Sequence, residues 1–199
     1  MFPEPIRRLI YHFQKLPGIG PKQAARFAFR LLAMSNEELA SFARDVETVR
    51  SSVDICKQCF LSFSKDKNNL CRYCRNASRR QKQICVVETD REALAIEASG
   101  IFKGVYHVLR SPALADARFG ENHPAVMALI DRIQRLGGET EIILGLSATT
   151  EGRATALFIE SVLKANKTKI TRLGRGLSSG IEIEYADRDT LVDAFRNRK

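Results

Sequence analysis

The chain has 199 residues, 44% of them hydrophobic, and a formal charge of +9. That composition suits a soluble globular protein with a sizeable core, and no apolar run approaches the roughly 18–20 residues of a membrane span. The opening MFPEPIRRLIYHFQ carries arginines inside its apolar pattern, unlike a signal peptide, so the expected address is the cytoplasm.

Helical spacing of Ile6, Leu9, Ile10, Phe13 and Leu16 predicts an amphipathic helix over 5–15, stopped by Pro17. PGIG (17–20) reads as a tight turn, and Pro21 suits the first position of a second helix. On that helix Ala24, Phe27, Ala28, Leu31 and Leu32 share one face, and Lys22, Arg26 and Arg30 the other. Ser35-Asn36-Glu37-Glu38 is a capping box opening a third helix, whose apolar stripe holds Leu39, Phe42, Ala43, Val46 and Val53. Residues 56–83 lack clean periodicity. From 84 the pattern alternates: strands at 84–88, 105–109, 141–146 and 168–173, with helices at 90–99, 124–136 and 151–164 between them. Three β-α-β units in series imply a parallel sheet with right-handed crossovers. GRGLSSG (174–180) reads as a loop, followed by a short strand IEIEY (181–185) and a helix over 188–197.

The charge is not spread evenly along these elements. Residues 1–54 carry eight Lys/Arg against six Asp/Glu, 55–83 eight against one, and 84–199 sixteen against sixteen. An excess confined to the N-terminal part points to nucleic acid. The turn and second helix fit that partner. Gly18 and Gly20 let backbone N–H groups approach a phosphate, the helix adds its positive N-terminal end, and Lys22 and Arg26 supply charge one turn apart. None of these contacts reads a base, so the expected binding is independent of sequence and weakened by salt.

Cys56-x2-Cys59-x11-Cys71-x2-Cys74 presents four thiolates to one tetrahedral ion, which favours zinc in a closed, structural site. Disulfides are the weaker reading for such pairs in a cytosolic chain. Cys85 lies in a strand and reads as a buried core thiol. The basic residues around the knuckles (Lys57, Lys65, Lys67, Arg72, Arg75, Arg79, Arg80, Lys82) either line a nucleic-acid path or are solvated loop charges. Glu88 ends one strand and Glu151 follows another, so both can face one sheet edge. Two carboxylates there can hold Mg²⁺, but each is equally a helix-terminal or strand-end acid, the reading that spacing favours. No G-x-x-x-x-G-K-[ST] occurs, and His12, His107 and His123 read as structural.

The stretches LPGIGPKQAARFAFRLL (16–32), CKQCF with CRYCRN, ICVVE, YHVL, TTEGRATAL, RGLSSG and EYAD, in this order, resemble the bacterial RecR family of recombination proteins along essentially the whole chain. The resemblance implies an α+β multidomain architecture: a helix-hairpin-helix domain at 1–54, a four-cysteine zinc finger at 55–83, an α/β Toprim domain with a parallel sheet at 84–173, and a C-terminal region at 174–199. It implies no catalytic residue. Metal ligands would be Cys56, Cys59, Cys71 and Cys74. DNA contacts would fall on the hairpin with Gly18, Gly20, Lys22, Arg26 and Arg30, and the surface near Glu88 and Glu151 would meet RecO. Family members act with RecO, and in many bacteria RecF, to load RecA onto single-stranded DNA coated by single-strand-binding protein. They assemble into rings, dimers or tetramers. The alternative is a Mg²⁺-dependent Toprim nuclease or topoisomerase-like enzyme. Such enzymes pair a glutamate with a D-x-D motif, where this chain has Ser147-Ala148-Thr149.

Overall fold

A computed structural model describes residues 2–110, 122–137, 139–164, 168–174 and 176–198. The chain divides into two compact units, Met1–Val53 and Asp54–Lys199.

The first unit is helical: α1 (Glu4–Gln14), α2 (Pro21–Leu32) and α3 (Asn36–Ser52). α1 and α2 form a hairpin that buries Ala24 and Ala28 and sets Phe13 edge-on to Phe27. The predicted capping box opens α3: Glu38 N–H donates to Ser35 Oγ, and Ser35 N–H to the Glu38 carboxylate. Those bonds hold the Glu38 carboxyl below its usual range. The apolar stripe of α3 is not covered. Leu39, Phe42 and Val46 stay exposed, and α3 has no buried residue.

The second unit begins with β1 (Val53–Ile55) and β2 (Ser62–Ser64), a two-stranded sheet, and the one-turn α4 (Arg72–Arg75). Then come β3 (Arg80–Val87), α5 (Asp90–Ala98), β4 (Gly104–Val108), α6 (Pro124–Leu136), β5 (Glu141–Leu144), α7 (Thr150–Leu163) and β6 (Lys169–Arg172). The strands run in the order β4-β3-β5-β6, every pair parallel, as the β-α-β alternation predicts. Their β-branched runs are buried on both faces. Ile84, Val86, Val105, Ile142 and Leu144 pack with α6 and α7 on one side. Cys85, Val87, Tyr106 and Val108 pack with α5 and the cysteine-bearing segment on the other.

The expected strand IEIEY is absent. Ile183–Tyr185 forms a short 3-10 turn ahead of α8 (Arg188–Arg196), whose N-cap Asp187 accepts from Thr190 N–H. Alternation alone suggests a strand, but among the described residues no strand pairs with this segment, and Ile183 and Tyr185 are exposed.

His107, fully buried on β4, has its Nε2 2.7 Å from the Ala125 carbonyl, while Nδ1 has no hydrogen-bond partner among the described residues. Burial depresses its pKa from 6.5 to about 4. Between those values the unfolded ring takes a proton that the folded ring refuses, so folding free energy falls as pH drops from 6.5 toward 4. Urea titrations at stepped pH should show the wild type losing about 3 kcal/mol more over this window than His107→Phe. Parallel losses in the two proteins would contradict the assignment.

Candidate nucleic-acid interface and metal centre

The helical hairpin offers one bare end. Gly18 takes φ +79°, a conformation that disfavours any Cβ. Gly20, by contrast, has an ordinary φ of −80° and no atom within 4 Å of a notional Cβ. Neither backbone angle nor packing demands glycine there, and its bare backbone leaves room for a ligand to approach closely. Gly20 is the N-cap of α2, and no side chain caps that terminus. Pro21 has no N–H, and Ala24 N–H already bonds the Gly20 carbonyl at 2.9 Å, leaving the N–H groups of Lys22 and Gln23 at the helix mouth. Lys22, Arg26 and Arg30 follow on the exposed face of α2. None of them forms an ion pair among the described residues.

In the second unit the four cysteines converge. The sulfurs of Cys56, Cys59, Cys71 and Cys74 lie within 4.8 Å of one another, with Cys59 and Cys71 3.4 Å apart. A tetrahedral zinc tetrathiolate places its sulfurs roughly 3.8 Å apart, so the quartet fits such an ion with little movement. Cys56, Cys59 and Cys71 are wholly buried. Hydrogen bonds from Cys59, Cys71 and Cys74 bring the Cys56 thiol far down. At Cys71 the Cys56 contact raises the thiol, but the bonds with Cys59 and Cys74 prevail and lower it to about 7. Cys59 and Cys74 are pushed up, chiefly by their contacts with Cys56. Cys85 is separate, a core thiol raised to about 12 by burial.

The knuckle is tied to the sheet. Val108 N–H, on the outer edge of β4, donates to the Cys59 carbonyl at 2.8 Å. Arg110 reaches the Phe60 carbonyl at 2.9 Å, and Asp90 accepts from both Ser62 N–H and Ser62 Oγ.

The eight basic residues near the knuckles separate into two groups. Arg79 binds Glu97 through two N–H···O bonds of 2.9 and 2.8 Å and lies over the rings of Tyr73 and Tyr106. Tyr106 Oη also donates to Glu97, whose carboxyl the Arg79 bonds hold below the usual range. Arg75 pairs with Asp66 at 2.8 Å, and Arg72 donates to Tyr73 Oη. These three cations brace the knuckle. Lys57, Lys65, Lys67, Arg80 and Lys82 form no ion pair among the described residues.

At the carboxyl edge of the sheet, β3 and β5 bring Glu88 and the turn after β5 together. Ser147 Oγ donates to Glu88 at 3.0 Å, and Thr149 Oγ1 caps α7 by accepting from Gly152 N–H. A Cβ on Gly152 would run into the Ser147 carbonyl, so the turn and helix approach as closely as backbone allows. Glu88 is nearly buried, and Glu151 is exposed in the first turn of α7. Among the described residues the cysteine quartet is the only group of three or more His, Cys, Asp or Glu side chains close enough to share an ion.

Sequence reasoning missed the Arg79–Glu97–Tyr106 cluster and the buried Arg132. Neither stands out in one dimension, because a salt bridge between residues 79 and 97 has no periodic signal.

A glycine-turned helical hairpin, a four-cysteine knuckle and a parallel α/β domain define a modular multidomain protein. The family models agree: residues 6–50 match "RecR, helix-hairpin-helix" and residues 82–174 match "Toprim domain". The chain is 39% identical over 197 residues to Recombination protein RecR of Oenococcus oeni, covering 99% of this chain and 98% of that one. It is 38% identical over 199 residues to that of Koribacter versatilis, covering 100% and 98%. With the Staphylococcus aureus (strain MRSA252) protein the identity is 37% over 197 residues, 99% and 98% of the two chains. The chain belongs to the RecR family of recombination proteins.

Proposed function

We propose that this protein is a non-catalytic subunit of recombinational DNA repair that binds DNA without sequence preference. The carrying observation is the uncapped N-terminus of α2, where Gly18 and Gly20 keep the backbone bare and Lys22, Arg26 and Arg30 are exposed and form no ion pair among the described residues. Zinc is the ion for the cysteine quartet, because four thiolates satisfy its tetrahedral preference and leave no position for a reacting water. The site is structural, one ion per chain.

The Toprim edge serves as a protein-contact surface. Its hydroxyls at 147 and 149 are engaged in local bonds and Asp90 is held by Ser62, so among the described residues no set of acids is assembled to cage Mg²⁺. Glu88 and Glu151 mark the face toward RecO, with RecF as a further partner, in loading RecA onto DNA coated by single-strand-binding protein. Self-association into a ring, dimer or tetramer is supported by the open apolar stripe of α3 and by Ile183, Tyr185 and Phe195, all exposed. A cytoplasmic location follows from this role. Among the described residues no helix is long and apolar enough to cross a membrane.

Fluorescence titration with unrelated oligonucleotides tests the reading. Affinities should agree within a few-fold across sequences and fall linearly in log [salt]. Incubated with Mg²⁺ or Mn²⁺, end-labelled DNA should stay intact; cutting that Glu151→Ala abolishes would establish the enzyme instead.

A further inference from the structure

Arg132, on α6, is only 1% exposed. Its Nη1 donates to the Tyr106 carbonyl at 2.9 Å, yet Nε and Nη2 have no hydrogen-bond partner, and no carboxylate pairs with it among the described residues. A permanent cation so placed needs an anion facing it. The topology places a candidate on the same strand edge. Along parallel β4, residues 106 and 108 turn their backbone groups to the outer edge, away from β3. One of these groups holds Arg132, and the other, Val108 N–H, holds Cys59. The guanidinium and a ligand-bearing loop are therefore anchored to the same strand edge, roughly 7 Å apart along it.

On the reading that the four cysteines hold a divalent ion, the loaded centre carries a net charge of −2 in a largely buried setting. We propose that Arg132 is the buried counter-charge of this tetrathiolate, a positioning residue whose fixed cation offsets the anionic centre and retains the metal. No hydrogen bond joins the guanidinium to a sulfur, so it acts through its field. That field lowers the energy of the sulfur lone pairs and makes the thiolates less prone to protonation.

Cobalt reports on this directly, because its sulfur-to-metal charge-transfer band moves with the energy of those lone pairs. In the full-length Co²⁺-loaded chain, Arg132→Gln should shift the band to longer wavelength, while Arg132→Lys, which keeps the charge, stays close to wild type. In the zinc form, Arg132→Gln should release metal to a chelator on the order of tenfold faster, and Arg132→Lys much less so. A folded Arg132→Gln protein with the wild-type band and release rate overturns the proposal. If only the lysine variant folds, a band displaced well away from wild type overturns it equally. A wild-type chain that shows no cobalt–thiolate band refutes the metal centre itself, a separate outcome.

Discussion

Replacing Cys56 or Cys74 by serine should lower zinc content to below about a tenth of the wild type and unfold more than the knuckle. Structural zinc sites contribute about 10 kcal/mol or more of apparent folding free energy, comparable to the whole stability of a domain. Loss of one thiolate removes much of that. The effect should travel, because Cys56, Cys59 and Cys71 share a core with Cys85, Val87, Tyr106 and Val108, and because the outer edge of β4 is sealed by the Cys59 carbonyl. Without the knuckle, β4 presents an open edge, a template for aggregation. Metal analysis together with thermal unfolding checks this, with a fall in melting temperature of at least 10 °C expected on the order-of-magnitude scaling of stability. Cys85→Ser is the control: this thiol is buried but outside the quartet, so zinc content should stay at one per chain even as stability declines. A metal-free Cys56→Ser protein as stable as wild type would refute a structural role.

The double substitution Lys22→Ala with Arg26→Ala should weaken DNA binding about 100-fold at low salt and leave folding unchanged. Each side chain is exposed and forms no ion pair among the described residues, so its removal opens no cavity. On the proposed function each would supply a charge-assisted hydrogen bond of about 1.5 kcal/mol to a phosphate. Without these cations, fewer counterions are released when DNA binds. The slope of log affinity against log [salt] should therefore flatten by about 1.5–2 per subunit. The weakening should be equal on unrelated sequences, since neither residue reads a base edge. Unchanged affinity and slope would take the hairpin out of the DNA-binding mechanism.

Much of this was legible in one dimension because local rules wrote it. Pro17 and Pro21 bracket a turn that Gly18 completes, Ser35 and Glu38 reciprocally cap a helix, and β-branched runs alternate with amphipathic helices. Two CxxC pairs announce a metal centre by spacing alone. The departures have equally physical causes. Residues 181–185 alternate like a strand, yet a strand exists only when a neighbour accepts its hydrogen bonds, and none does among the described residues. The stripe on α3 has the periodicity of a buried face, and periodicity does not say whether the cover comes from the same chain.

What the sequence determined by itself is the set of parts: the glycine-bearing turn, the four closely spaced cysteines, the parallel sheet, and one acid after β5 where a metal-dependent enzyme would need more. Only the tertiary structure decided how the charges are used. It folded Arg79 into a bond with Glu97, left Lys22 and Arg26 exposed on α2, set Ser147 against Glu88, and buried Arg132 beside the strand edge that carries the knuckle. Such choices depend on pairs of residues far apart in the chain, whose meeting is settled by strand order and helix packing rather than by any local pattern.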